Sequence, residues 1–194
     1  MLSPCPGCGA LFPPVEGPTH RYLGASAGCW ALLNWHVLKQ SYEQGSTAAT
    51  EGPDAFGLVA RSRIPENVRV PAHSDTTPFD SVWGDAYGVQ HHGDDSPQAI
   101  QSVAVHLLNI YGIVSGKTTR PRWPIARAIR TRGVFRKLEP PALGSALTIR
   151  HLFPGGGVVS PVTRSQYAAS VYEAWMSLHR STVEHWYERY VVPD

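Results

Sequence analysis

The stretch Cys5-Pro6-Gly7-Cys8, close to the N-terminus, decides how the rest of the chain is organised. Its C-x-x-C spacing lets a tight turn present two sulfur atoms to one tetrahedral metal ion. Cys29 is the third and last cysteine, and the span before it is long enough to fold back onto the turn. We therefore expect Cys5, Cys8 and Cys29 to bind one metal ion. Zinc is the metal that best suits thiolate ligands combined with an imidazole.

Three thiolates leave a tetrahedral site one ligand short, and the sequence offers several candidates for the fourth. His20 is close to the cysteines in sequence, whereas His91 would come from a neighbouring helix. His36, His106 and a water molecule are further alternatives. A histidine would close the site and make it structural. A bound water would leave it open for catalysis, because zinc makes such a water acidic.

Length and composition favour one globular domain. The chain has 194 residues, of which 42% are hydrophobic, and this is enough to build a core. The 18 glycines and 17 prolines indicate ordered elements separated by substantial loops. No apolar run reaches the roughly 20 residues that a membrane span needs, and no secretory signal is visible. A cytoplasmic location without membrane association is the expectation.

Apolar residues at helical spacing predict a mainly α fold, a compact helical bundle with the metal knuckle at its N-terminus. Three helix beginnings are marked by Ser26, by Thr77-Pro78 and by Ser96-Pro97. Short helices are expected near residues 53–60, 124–131 and 146–153. The longest helix, at about 165–190, carries a broad apolar stripe: Tyr167, Val171, Ala174, Trp175, Leu178, Val183, Trp186 and Tyr190.

The predicted organisation is a single domain over residues 1–194. Residues 1–28 form the metal knuckle and a loop, and residues 29–116 form the helical core. Residues 117–160 are a basic connection rich in glycine and proline, and residues 161–194 hold the long C-terminal helix.

Polar residues on the second and third predicted helices suggest a pocket beside the metal. Asp85, Gln90 and His91 belong to the second helix, and His106 lies at the edge of the buried face of the third. Asp85, His91 or His106 could serve as a general acid or base. The plainer interpretation is that His106 is a core-edge histidine hydrogen-bonded to a neighbour, and that Asp85 bonds to a cap or an arginine.

A basic stretch extends from Lys117 to Lys137. It contains eight of the 17 lysines and arginines, while the net charge of the chain is only +2. A short helix would place Arg127 and Arg130 on one side, where they could bind a small anionic ligand. A solvated face is the commoner explanation of such a stretch. Nucleic acid is an unlikely partner, because only Trp123 and Phe135 could stack on bases.

Several sequence blocks resemble those of an uncharacterised bacterial family of unknown function. The blocks are CPGCGA and GPTHRYLGASAGCW in the N-terminal part, then DAYGVQH and SPQAIQSVAVHL. The resemblance is strongest over residues 4–31 and 83–108 and implies no activity. It implies that eight residues are signature positions: Cys5, Cys8, His20, Cys29, Asp85, Gln90, His91 and His106. The basic segment from Arg120 to Arg136 and the glycines near Gly156 are longer than the resemblance leads us to expect.

Two functional hypotheses follow. In the first, the chain is a zinc-binding helical protein whose site of three cysteines and one histidine lies beside a polar pocket of histidine, aspartate and glutamine. In the second, it is a metal-dependent enzyme acting on a small anionic substrate. A zinc ion is the expected cofactor in both, and the sequence leaves the oligomeric state open.

Overall fold

The computed structural model describes residues 2–43, 82–117, 129, 135–154 and 160–192, with only the backbone of residues 36–43. Three expectations therefore lie outside the described residues. They are the helix near 53–60, the helix start at Thr77-Pro78, and, apart from Ile129, the helix near 124–131. The glycine run near Gly156 also lies outside them.

Helices dominate the described residues, which confirms the predicted mainly α fold. In chain order the elements are β1 (Ser3–Pro4), β2 (Leu11–Phe12), α1 (Ala27–Glu43), α2 (Trp83–Gln90), α3 (Pro97–Val114), α4 (Ile149–Leu152) and α5 (Arg164–Tyr190).

The N-terminal knuckle is a short antiparallel hairpin. Strands β1 and β2 pair with Ser3 opposite Phe12. The Cys5 N–H donates to the Ala10 carbonyl at 2.8 Å, and the Gly9 N–H donates to the Cys5 carbonyl at 2.8 Å. Gly9 has a φ of +74°, a left-handed conformation that glycine adopts without the steric penalty of a side chain. The turn thereby closes on itself with the cysteine side chains inside.

Side-chain caps fix the starts of three helices. Ser26 Oγ accepts the Cys29 N–H at 3.3 Å at the start of α1, and Ser96 Oγ accepts the Ala99 N–H at 3.3 Å at the start of α3. Both predicted starts are confirmed. Thr163 begins α5 with a capping box, in which Gln166 returns a hydrogen bond to the Thr163 N–H. These caps provide partners for backbone N–H groups of the first turn, which have none within the helix.

Helices α2, α3 and α5 pack together to form the core. Asp85 in α2 lies opposite Asn109 in α3, and Gly93 after α2 lies opposite Ala99, so α2 and α3 are antiparallel. Helix α5 packs on both. The largest fully buried side chains come from all three helices and from Ile129 and α4: Tyr87, Tyr167, Leu107, Leu108, Ile110, Ile129 and Ile149.

The prediction that Leu178 belongs to the buried stripe of α5 is wrong. Leu178 is exposed, with 57% of its surface accessible, whereas Tyr172 and Met176 are buried. The buried face of α5 is centred near Ala168 and Trp175, and Leu178 falls at its edge. The spacing rule located the correct side of the helix, but the neighbouring elements determine how wide the covered face is.

The loop before α1 is attached to the residues that follow α2. Leu23 and His92 form an isolated antiparallel bridge, and the Gly24 N–H donates to the His91 carbonyl at 3.0 Å. Gly93 fits tightly beneath this loop, because a Cβ there would lie 2.4 Å from the Tyr22 carbonyl oxygen. These contacts bring His91 to the knuckle.

Candidate metal centre

Four side chains from separate parts of the chain converge on one point. Cys5, Cys8, Cys29 and His91 each offer one donor atom, and all four atoms lie within 4.8 Å of one another. Cys5 and Cys8 come from the knuckle, Cys29 from the first turn of α1, and His91 from the residue after α2. None of the four is more than 3% exposed. The group is therefore suited to hold a metal ion shielded from solvent.

The distance between the Cys8 and Cys29 sulfur atoms fits a tetrahedral ion. Two sulfur atoms that are each about 2.3 Å from one zinc ion at the tetrahedral angle lie about 3.8 Å apart. Cys8 Sγ and Cys29 Sγ are 3.9 Å apart, and all three cysteines are free thiols. His91 Nε2 lies 3.1 Å from Cys29 Sγ. Soft thiolates with one imidazole are a donor set that zinc prefers.

The orientation of the His91 ring leaves a lone pair facing the sulfurs. Its Nδ1 is 2.8 Å from the Tyr87 carbonyl oxygen, and a carbonyl can only accept, so Nδ1 carries the proton. In the neutral ring Nε2 is then unprotonated. A backbone carbonyl that holds one ring nitrogen while the other binds metal is a common arrangement at metal sites.

Hydrogen-bond donors also surround the sulfur atoms. The Ser26 N–H donates to Cys5 Sγ at 3.3 Å, and the Tyr87 hydroxyl donates to Cys29 Sγ at 3.5 Å. Burial raises the pKa of Tyr87, so this phenol keeps its proton and remains a donor. Donors of this kind stabilise thiolate over thiol, the form that binds metal.

The three thiols differ in their readiness to ionise. Hydrogen bonds from Cys29 and then Cys8 lower the pKa of Cys5. Burial, followed by the hydrogen bond to Cys5, raises the pKa of Cys29. At Cys8 the hydrogen bond with Cys29 acts to lower the pKa, but the one with Cys5 and burial outweigh it and raise the pKa to about 12.

The other histidines considered as fourth ligand either lie outside this group of four donors or have a side chain that the structure does not describe. His20 is exposed and is not part of the group of four donors. Its Nδ1 accepts the Tyr22 N–H at 3.2 Å, and its ring centroid lies 5.0 Å from that of Trp30. The side chain of His36 lies outside the described part of the chain.

Asp85 and His106 meet in a second polar cluster, joined by Asn109. His106 Nδ1 lies 2.7 Å from Asp85 Oδ1, and Asn109 Nδ2 donates to Asp85 Oδ2 at 2.8 Å. All three residues are buried. Gln90 belongs to a different set of contacts. Its amide donates to the Leu147 carbonyl at 2.7 Å and accepts the Tyr167 hydroxyl at 2.9 Å.

Apart from Ile129, the basic stretch is described only at its ends. Arg127 and Arg130, the candidate anion-binding residues, lie outside the described residues. Lys117 pairs with Glu188, and Lys137 pairs with Asp95, both at exposed positions. Arg136 donates to the Thr182 hydroxyl at 3.2 Å. The described cations of this stretch thus have partners on the protein itself.

Two residues that contribute to these polar sites, Tyr87 and Asn109, were not predicted as site residues from the sequence. Tyr87 stacks on His91, with ring centroids 3.8 Å apart, and also reaches Cys29. Its spacing of four residues before His91 places both on one helix face, and this was the available signal. Asn109 follows His106 by three residues, so both face α2. No motif singles out an asparagine at that place.

Fold and cluster together define a mainly helical protein with a group of three cysteines and one histidine that can hold a metal ion. The chain belongs to the family of unknown function DUF5946, whose model matches residues 68–176. The match includes Asp85, His91 and His106, and it begins after the three cysteines. Neither a curated protein nor a solved structure matches the chain. Among the helices of the described residues, none combines the length and apolar character required to cross a bilayer.

Proposed function

We propose that this chain is a zinc-binding helical protein in which Cys5, Cys8, Cys29 and His91 hold one structural zinc ion. The observation that carries the proposal is the convergence of four buried donor atoms within 4.8 Å. A structural zinc site takes all four ligands from the protein and leaves no position for substrate. Burial of every donor favours this role over a catalytic one.

The zinc ion would tie together three parts of the chain, namely the knuckle, α1 and the end of α2. The knuckle is a hairpin with strands of two residues each, and such a hairpin is marginally stable alone. Ligation by Cys29 would attach it to α1, and ligation by His91 would attach it to the end of α2. Metal-binding free energy then contributes directly to folding.

Charge balance also supports a zinc ion at this place. Three thiolates and a neutral imidazole around a divalent cation carry one net negative charge. The Ser26 N–H and the Tyr87 hydroxyl donate to two of the sulfurs and would disperse it. Because the ligands must be reduced thiols, we also propose that the protein works in a reducing compartment such as the cytoplasm.

The alternative is a metal-dependent enzyme in which water replaces the histidine. It is less well supported, because His91 Nε2 already lies 3.1 Å from Cys29 Sγ and the Tyr87 carbonyl holds the ring in place. A catalytic metal would instead need an open position that substrate can reach.

Metal analysis of the full-length, untagged protein tests the proposal. We expect one zinc ion per chain after purification without added metal. The Cys29→Ser variant should lose most of it, and cobalt substituted into the wild type should give the absorption of a tetrahedral thiolate site. Wild-type protein that is folded, monodisperse and free of metal, and that fails to take up zinc or cobalt, would overturn the proposal.

A further inference from the structure

The cluster of Asp85, His106 and Asn109 has hydrogen-bonding capacity that the described residues do not use. Asp85 accepts from His106 Nδ1 at 2.7 Å and from Asn109 Nδ2 at 2.8 Å. Asn109 is 4% exposed, and its Oδ1 is a buried acceptor with no donor among the described residues. Buried polar atoms are nearly always paired, so an orphan acceptor calls for an explanation.

The tautomer of His106 follows from its partner. A carboxylate can only accept a hydrogen bond, so Nδ1 of His106 carries a proton. In the neutral ring the lone pair is then on Nε2. His106 is 9% exposed, and Nε2 makes no hydrogen bond within the described part of the chain. A histidine held by a buried carboxylate at one nitrogen and free at the other is the arrangement of a general base.

The His106 ring packs against helix α2 at a glycine. A Cβ on Gly88 would lie 2.6 Å from His106 Nε2, so the ring fits only because position 88 has no side chain. Gly84, one turn earlier on the same face, is exposed, and a Cβ there would meet nothing within 4 Å among the described residues. The His106 side chain keeps 11% of its surface accessible, so part of the imidazole is in contact with solvent.

We propose that Asp85, His106 and Asn109 form a proton-accepting site for a small protic ligand, one that presents an O–H or N–H group. The proton passes from the heteroatom of the ligand to His106 Nε2, and the bonding electron pair stays on that heteroatom. Asp85 keeps its hydrogen bond to Nδ1–H and balances the charge of the imidazolium. Asp85 is a positioning residue, and Asn109 fixes its second oxygen. This site is separate from the metal centre and does not depend on the identity of the metal.

Two measurements on the full-length wild-type protein test the site without requiring any variant to fold. Long-range proton–nitrogen correlation NMR at neutral pH should show His106 with Nδ1 protonated and Nε2 bare. Diethyl pyrocarbonate, which acylates an unprotonated imidazole nitrogen, should modify His106 at least as fast as the exposed His185, as mapped by mass spectrometry. A proton fixed on Nε2, or a His106 that stays unmodified while His185 reacts, would overturn the proposal.

Variants then separate positioning from simple packing. Asp85→Asn should shift the His106 tautomer and slow its acylation by about tenfold or more, because an amide also supports the tautomer with hydrogen on Nε2. Gly88→Ala should block the nitrogen in the same way, whereas Gly84→Ala, the matched control, should leave tautomer and rate unchanged. Unchanged His106 signals and rates in a folded Asp85→Asn protein would contradict the role of Asp85.

Discussion

Gly7 lies directly against His91. A Cβ built on Gly7 would come within 2.8 Å of both the Cα and the Cδ2 of His91. The knuckle can therefore reach the end of α2 only because position 7 lacks a side chain. Glycine in the C-x-x-C turn thus serves the approach of one ligand to the others.

The Gly7→Ala substitution should destabilise the protein and weaken metal binding. The clash involves backbone, which cannot move aside as a flexible side chain can, and overpacking of this kind costs about 1–3 kcal/mol. Gly84→Ala is the control. Position 84 is exposed in α2, and a Cβ there would meet nothing within 4 Å in the described part of the chain, so alanine should stabilise the helix by up to about 1 kcal/mol. Urea unfolding of the zinc-loaded variants measures both. Equal stabilities of the two variants would contradict the close packing inferred at Gly7.

Substitution of the two candidate histidines should identify the fourth ligand. His91→Ala should lose metal, because it removes a donor and leaves three thiols. His20→Ala should keep one zinc ion, since His20 is exposed and outside the group. Metal content per folded chain, measured by elemental mass spectrometry, decides between them.

The His91→Cys variant tests whether the loss of metal expected for His91→Ala merely reflects misfolding. A fourth thiolate is an established zinc ligand, so this variant should recover metal that His91→Ala loses. A His91→Ala protein that retains zinc, beside a His20→Ala protein that loses it, would reverse our assignment.

Removal of the Tyr87 hydroxyl should weaken zinc binding while leaving the fold intact. Tyr87→Phe keeps the ring that stacks on His91 but removes the donor to Cys29 Sγ. Loss of such an outer contact typically lowers metal affinity by about 10–100-fold. Tyr167→Phe is the matched control, because its hydroxyl donates to Gln90 rather than to sulfur. Competition with a chromogenic chelator should show weaker binding for Tyr87→Phe alone, and equal affinities would argue against this hydrogen bond.

Removal of zinc should loosen the N-terminal segment before the rest of the bundle. Without the ion, the knuckle loses its links through the cysteines and keeps only non-covalent contacts, among them its short strands, the pairing of Leu23 with His92, and the packing of Gly7 on His91 and of Phe12 on Gly28. Limited trypsin digestion after chelation should therefore accelerate cleavage at Arg21 more than at Arg180, an exposed site within α5. Re-addition of zinc should reverse the effect. Equal acceleration of cleavage at Arg21 and Arg180 would contradict this prediction, because it would mean that the metal stabilises the whole fold to the same extent.

Local sequence signals predicted the starts of α1 and α3 and the cysteine group, because helix caps and the C-x-x-C turn depend on residues close together in the chain. Ser26 and Ser96 cap their helices as expected from their positions before an apolar pattern. The choice between His20 and His91 could not be made in this way. It depends on the pairing of Leu23 with His92, a long-range contact that no spacing rule encodes.

Tertiary packing explains the remaining differences between the sequence-based predictions and the structure. Leu178 shares the helical period of the buried residues in α5 but is exposed, because the neighbouring elements leave more than half of its surface uncovered. Asn109 is a partner of Asp85 because α2 and α3 pack side by side, and this packing cannot be derived from local sequence. Such residues are polar or apolar by sequence, yet their role depends on what the next helix presents to them.

X-ray absorption spectroscopy at the zinc edge, on protein purified without added metal, tests the central claim most directly. Our account predicts an ion bound by three sulfur atoms at about 2.3 Å and one imidazole nitrogen at about 2.0–2.1 Å. Replacement of the nitrogen by an oxygen ligand of water, or a shell with fewer than three sulfurs, would contradict a closed structural site of Cys5, Cys8, Cys29 and His91.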